Sequence, residues 1–225
     1  MEEFPMGEQE ENLQQEEGMA GGKSIEKPGA EINYGKIVKP ESALEERIIN
    51  DLEWQEGAGW GEPRRGHPEG AVIFHIAEVL QNINKLNGIS ELERAQLRII
   101  ALIHDSLKNE VDVRHPRINE NQHGMLARRF AEKYSQDDAV LRVIQLHDAA
   151  YDAWRKRNEV GGERVLRLVD NLIVDLGPEN LNLYLLFYQC DNETGTKSRE
   201  HLPWFREVAS KHFSAYVKNY GQERG

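Results

Sequence analysis

Helical periodicity runs through most of this chain and constrains its fold more than any other feature. From about residue 40, apolar residues recur at intervals of three and four, and almost no segment alternates with period two. Val72, Ile76 and Val79, for example, fall on one face of a helix, and Gly88 follows as a stop signal. The sequence therefore predicts an all-α fold, a bundle of about seven helices.

The predicted helices are separated by short links rich in Gly, Pro, Ser and Asp. They lie near residues 42–54, 71–86, 90–103, 119–134, 135–154, 163–176 and 179–191, and a last amphipathic helix holds residues 205–220. Ser90 and Glu93 have the spacing of a capping box at the start of the third of these.

The beginning of the chain has a different composition. It is crowded with glutamates, continues into glycines, and has few large apolar side chains that could offset the entropy cost of ordering. We predict a disordered acidic tail over residues 1–40 and one helical domain over residues 41–225.

Charge and composition narrow the possible partners. The formal net charge is −11 at pH 7, which argues against long nucleic acids and anionic membranes because their phosphates would be repelled. A small phosphorylated substrate stays possible, since a bound divalent cation can invert the local field.

No apolar run approaches the ~20 residues that span a bilayer, and the single cysteine, Cys190, allows no internal disulfide. We therefore expect a soluble, cytoplasmic protein. The sequence leaves its oligomeric state open.

Several polar side chains are predicted to point toward the core, each near one end of an apolar helical face. These are His75, His104, Asp105, His123, His147 and Asp191. Burying one polar group without a partner costs roughly 1–3 kcal/mol, so such a set needs partners within itself or from a ligand. Imidazoles and carboxylates on adjacent helices are the donors that a divalent first-row cation prefers. The pattern therefore predicts a metal centre.

The order His75, then His104-Asp105, then Asp191 resembles the H…HD…D signature of the HD superfamily of metal-dependent phosphohydrolases. Two further segments extend this resemblance, which covers roughly residues 65–195. The segment 67–70 (HPEG) is similar to the opening of the HD domain in many CCA-adding tRNA nucleotidyltransferases, and 102–108 (LIHDSLK) resembles the L-x-H-D-x-x-K element. No nucleotidyltransferase domain accompanies them.

The resemblance implies a site and a chemistry. His75, His104, Asp105 and Asp191 would hold a first divalent ion (Mn, Fe, Zn, Co or Mg). His123 and His147 occupy the positions where binuclear branches of the superfamily have two more ligands, with Asp105 bridging to a second ion. Asp105 and Lys108 would be the catalytic residues, Lys108 as a contact for a substrate phosphate. Arg114, Arg117 and Lys197 are weaker candidates for that contact.

The residues themselves leave some alternatives open. Asp170 also lies in an apolar run and competes with Asp191 as the last ligand. His67 could orient a ligand, although as a loop residue beside a proline it fits a structural role equally. His115, His201 and His212 fit loop, surface or packing roles.

Three functions are compatible with this pattern. The favoured one is a phosphohydrolase acting on a nucleotide or another small phosphoester through a metal-activated water. The second is an HD-type di-iron oxygenase with a small organic substrate, which uses the same ligand pattern. The third is a non-catalytic helical module with a structural metal. One departure is notable: Asp148 follows His147 where HD-GYP proteins have a second histidine, and the chain has no G-Y-P motif.

Overall fold

A computed structural model describes residues 32–63, 70–159, 161–195 and 199–221, with side chains up to residue 211. The helices are α1 (Tyr34–Val38), α2 (Ala43–Ile49), α3 (Leu52–Ala58), α4 (Val72–Ile83), α5 (Glu91–Ile103), α6 (His123–Ala131), α7 (Asp138–Leu146), α8 (Ala149–Lys156), α9 (Gly162–Leu176), α10 (Leu181–Asn192) and α11 (His201–Gly221). Short 3-10 turns cover Lys108–Glu110, Asn119–Asn121 and Pro178–Asn180. These parts of the chain contain no β-strand, so the all-α prediction is confirmed.

The described helices are more numerous than the sequence predicts, because two of the predicted helices are divided. The predicted helix 42–54 is two helices, because the side chain of Asp51 accepts hydrogen bonds from the backbone N–H groups of Glu53 and Trp54 and begins α3 anew. The predicted helix 135–154 is also divided, at His147 and Asp148.

Tyr184 of α10 stabilises that second break. Its hydroxyl lies 3.1 Å from the carbonyl oxygen of His147, to which it can donate. It also accepts from the backbone N–H of Ala150 at 3.2 Å. A side chain from another helix therefore satisfies backbone groups that a continuous helix would have paired internally.

The predicted tail boundary at residue 40 is wrong for residues 34–38, which form α1 and contact α4. Val38 is buried, and the hydroxyl of Tyr34 donates to the carbonyl oxygen of Gln55 at 2.9 Å. The segment 34–38 (YGKIV) has one charge and three large apolar side chains, so it can be buried although the start of the chain is acidic. The rest of the predicted tail, residues 1–31, lies outside the described residues.

Helices α4, α5, α7 and α10 pack against one another and carry most of the core. The apolar face of α5 is fully buried, including Leu97, Ile100 and Ile103. At roughly 1.5–3 kcal/mol for each fully buried side chain of this size, such contacts hold the four helices together. Their ends meet on one side of this core.

Polar contacts reinforce the packing of these helices and join α3 to them. The indole N–H of Trp54 in α3 donates to the carbonyl oxygen of Leu102 in α5 at 2.7 Å. The side-chain amide of Asn82 in α4 donates to the carbonyl oxygen of Cys190 in α10 at 3.0 Å. None of the described helices is long and apolar enough to cross a membrane.

Candidate metal centre

The six sequence-predicted ligands converge at the helix ends on one side of the core. They arrive from different elements: His75 from α4, His104 and Asp105 from the end of α5, His123 from the start of α6, His147 from the end of α7, and Asp191 from α10. All but His123 are buried, and the His123 side chain is only 18% exposed. The structure thus brings together side chains that are far apart in sequence.

His75, His104 and Asp105 form the first group of potential ligands. Nε2 of His75 lies 3.2 Å from Nε2 of His104, and Asp105 Oδ2 lies 3.6 and 3.5 Å from these two atoms. Asp191 joins this group, because its Oδ1 is 3.0 Å from Nε2 of His75 and 4.0 Å from Nε2 of His104.

Asp105, His123 and His147 form the second group. The Nε2 atoms of the two histidines are 3.0 Å apart. Asp105 Oδ1 lies 3.6 Å from His123 Nε2 and 3.3 Å from His147 Nε2. The two groups therefore share Asp105, which turns one carboxylate oxygen toward each.

Two backbone contacts set the tautomers of the central histidines. Nδ1 of His104 donates to the carbonyl oxygen of Ala101 at 3.0 Å, and Nδ1 of His147 donates to that of Ile144 at 2.8 Å. A carbonyl oxygen can only accept, so both Nδ1 atoms carry a proton. When such a ring is neutral, its Nε2 atom carries a lone pair that faces the cluster, as a metal ligand requires.

The protonation of these groups follows from burial and charge. Burial lowers the pKa of His104 to about 3, so this imidazole is neutral. Burial also acts to lower the pKa of His147, but the carboxylates of Asp148 and Asp105 outweigh it and raise that pKa to about 9. A metal ion binding here would displace the proton of His147, so that affinity would rise with pH.

The carboxyl group of Asp105 is ionised. Burial acts to raise its pKa, but the ammonium of Lys108 and the positive charge of His147 hold it well below its usual range. Lys108 donates from Nζ to Asp105 Oδ2 at 2.6 Å, and its side chain is 28% exposed. The predicted catalytic lysine therefore lies at the open side of the cluster.

These donor atoms fit divalent cations. Two donors about 2.1 Å from one ion and at right angles are about 3.0 Å apart, close to the separation of the Nε2 atoms within each histidine pair. Asp105 Oδ1 and Nδ1 of His75 are buried without a hydrogen-bond partner, and a buried carboxylate oxygen without a donor is costly. A cation between Asp105 and the histidines of the second group would satisfy that oxygen. Two overlapping His/Asp groups could thus each bind a metal ion.

Other residues singled out by sequence have different surroundings. Asp170 is half-buried on α9, whereas Asp191 contacts the first group directly. His201 is buried, and Tyr188 Oη lies 2.7 Å from its Nδ1, a packing role. His115 is exposed beside Asp112.

The weaker candidates for a phosphate contact find little support. Arg114 is exposed and hydrogen-bonded to Asp112, and Arg117 is exposed. Lys197, residues 67–69 of the HPEG segment with His67, and the side chain of His212 lie outside the described residues.

Asp148 is the residue that sequence reasoning missed. Its Oδ2 lies 3.2 Å from Nε2 of His123 and its Oδ1 3.8 Å from Nε2 of His147. A signal was present, because His147-Asp148 repeats the His-Asp pair at 104–105 after a second apolar helix.

Comparisons with models of known protein families, with curated proteins and with solved structures find no match to this chain. What can be said of its function therefore rests on the geometry of this cluster and on the motifs within it.

Proposed function

We propose that this chain is a binuclear, divalent-metal-dependent phosphohydrolase of the HD superfamily that acts on a nucleotide or another small phosphoester. The observation that supports this most is the position of Asp105 between two groups of potential ligands, each with its own pair of histidines. A bridging carboxylate with imidazoles on both sides is the donor set of a two-metal centre.

The ligands of the two ions follow from the distances. His75, His104, Asp191 and Oδ2 of Asp105 would hold the first ion, and His123, His147 and Oδ1 of Asp105 the second. Mixed nitrogen and oxygen donors suit Mn²⁺, Fe²⁺, Co²⁺ or Zn²⁺ better than Mg²⁺. When bound, such ions supply a water of lowered pKa as the nucleophile and positive charge for the phosphoryl oxygens.

The protein's own residues orient these parts. Asp105 ties the two groups to one carboxylate and so sets the distance between them. Lys108 is partly exposed beside Asp105, where its ammonium can contact a substrate phosphate as a point charge. The backbone contacts of His104 and His147 hold their rings in the orientation that presents Nε2.

The size of the substrate follows from charge. The net charge of −11 disfavours a polyanion, whereas the loaded centre and Lys108 would offer local positive charge. A small phosphoester can reach that charge without lying along the acidic surface. A long nucleic acid would have to do so, which disfavours it as a substrate.

Metal analysis followed by a substrate panel tests this proposal. We expect protein purified without added metal, then titrated with Mn²⁺, to bind two ions and to release phosphate from at least one small phosphoester, such as a nucleoside monophosphate or a cyclic nucleotide. Asp105→Asn should abolish turnover while the far-ultraviolet circular dichroism stays helical.

The competing functions give different results. Iron bound as purified, oxygen consumption and no phosphate released from any ester would overturn the hydrolase and favour the di-iron oxygenase. Metal that stabilises the fold without turnover of any kind would favour a structural site.

Lys108 offers a second test within the same assay. We expect Lys108→Ala to raise KM for the phosphoester about tenfold with a smaller change in kcat, because one charged contact made in ground and transition states alike is lost. The metal stoichiometry should stay at two. Lys211→Ala, which removes an exposed lysine of α11, is the matched control. An unchanged KM would exclude the phosphate contact.

A further inference from the structure

Asp148 stands at the N-cap position of α8 but forms no capping hydrogen bond. An aspartate in this position normally accepts from the backbone N–H groups of the first turn, which stabilises a helix by about 0.5–2 kcal/mol. Asp51 and Asp137 do so in this structure from an extended backbone, each through Oδ1 to two backbone N–H groups, whereas the backbone of Asp148 is helical (φ −86°, ψ −10°). The carboxylate of Asp148 is directed elsewhere.

The carboxylate of Asp148 faces the second group of potential ligands. Asp148 Oδ2 lies 3.2 Å from Nε2 of His123, close to the 3.0 Å that separates the Nε2 atoms of His123 and His147. The side chain is 39% exposed, so it lies on the open side of the cluster. A carboxylate that caps no helix and faces two imidazoles has the placement of a metal ligand.

The first group has a matching carboxylate. Asp191 lies 3.0 Å from Nε2 of His75, as Asp148 lies 3.2 Å from Nε2 of His123. Without Asp148, the first ion would receive two carboxylates and the second only the shared oxygen of Asp105.

We propose that Asp148 is a ligand of the second metal ion. Each ion then receives two imidazoles, one carboxylate of its own and one oxygen of Asp105. This inference rests on the two-metal centre proposed above and adds a residue to it. The added carboxylate gives the second site one more oxygen donor and one more negative charge. Both suit Mn²⁺ or Fe²⁺.

Manganese binding by the whole 225-residue chain tests this assignment, with bound metal and electron paramagnetic resonance as readouts. We expect the wild-type protein to bind two Mn²⁺ with a spin-coupled signal. Asp148→Ala should weaken one of the two binding steps by at least about tenfold and leave the six-line signal of an isolated ion. Asp148→Asn, which keeps the size and removes the negative charge, should lose the same step and serves if the alanine variant does not fold.

Asp137→Ala is the matched control, because it removes a true N-cap from α7 at the end remote from His147. It should lower the thermal midpoint and leave both ions bound. Two Mn²⁺ bound with unchanged affinities in Asp148→Ala and Asp148→Asn would overturn this inference alone. A wild-type protein that binds fewer than two ions would overturn the two-metal centre itself.

Discussion

Asp105 Oδ1 lies 3.3 Å from Nε2 of His147, while the other oxygen of the same carboxylate lies 3.5 Å from Nε2 of His104. Asp105 thus joins the end of α5 to the end of α7. No other side chain of the described residues belongs to both groups of potential ligands.

We expect Asp105→Ala to lose both metal ions, because each would lose a ligand and the distance between the groups would no longer be set. His75→Ala should lose only the first ion. Bound metal after gel filtration measures both. Asp138→Ala, which removes an exposed carboxylate of α7, is the control and should keep two ions. Loss of a single ion in Asp105→Ala would contradict the bridging role.

Gly124 brings α6 against α7 beside the second group. A Cβ at this position would lie 2.4 Å from the carbonyl oxygen of Gln145 and 3.3 Å from that of Ile144, the acceptor of His147 Nδ1. We expect Gly124→Ala to lower the free energy of unfolding by about 1–3 kcal/mol, because α6 must move away. The same movement should weaken the second metal site.

Gly162 is the matched control for this substitution. It begins α9 and would place a Cβ in open space, so Gly162→Ala should be neutral or slightly stabilising. Urea denaturation of the metal-free proteins and Mn²⁺ titration measure the two effects separately. Equal stability and equal metal affinity for the two variants would show that the close contact of α6 is unimportant.

Glu45 and Arg98 form a buried ion pair between α2 and α5. Both are 2% exposed, and two hydrogen bonds of 2.9 and 2.6 Å join them. We expect Glu45→Ala to lower the free energy of unfolding by about 3–5 kcal/mol, because a buried guanidinium loses its main counter-charge.

Denaturant unfolding measures this loss. Glu46→Ala, one residue further on the exposed face of α2, should change the stability by no more than about 0.5 kcal/mol. If the two variants were equally stable, the partly exposed Glu41, 3.0 Å from Arg98, would have to compensate for the missing charge.

The hydroxyl of Tyr134 donates to Asp51 Oδ2 at 2.6 Å and links the end of α6 to the start of α3. Burial raises the pKa of Tyr134, and the bond to Asp51 adds to this, giving about 12. Burial acts to raise the pKa of Asp51, but the bond from Tyr134 and those from the first turn of α3 bring it below its usual 3.8.

These shifts determine how the stability contribution of the bond depends on pH. The depressed pKa of Asp51 makes the contribution present above about pH 4 and lost as the pH falls through the folded value. The raised pKa of Tyr134 makes it complete below pH 10 and lost as the pH rises toward 12.

Tyr134→Phe should therefore cost about 1 kcal/mol at pH 7 and much less near pH 2 and near pH 12. Urea denaturation at several pH values measures the difference between wild type and variant. A difference that does not vary with pH would mean that packing of the ring, rather than this bond, stabilises the junction.

Much of the arrangement could be predicted from local patterns. The spacing of apolar residues identified α4, α5, α6, α9 and α10 and the faces that they bury, because the apolar stripe of an amphipathic helix must face the core. It also located α7 and α8, but as one continuous helix. The inward position of His75, His123 and Asp191 follows from the same periodicity. The capping box at Ser90 is also local, and the structure contains it.

Tertiary contacts decided the rest. The end of α7 at His147 depends on the hydroxyl of Tyr184, and the direction of the Asp148 carboxylate depends on the nearby rings of His123 and His147. Periodicity predicts one continuous helix through Asp148, and it gives no sign that the carboxylate of Asp148 lies beside the imidazoles of His123 and His147. Periodicity places each ligand on a face of its own helix. Only the packing of helices remote in sequence determines which ligands meet, because the distances between them depend on contacts such as that of Gly124 with Gln145.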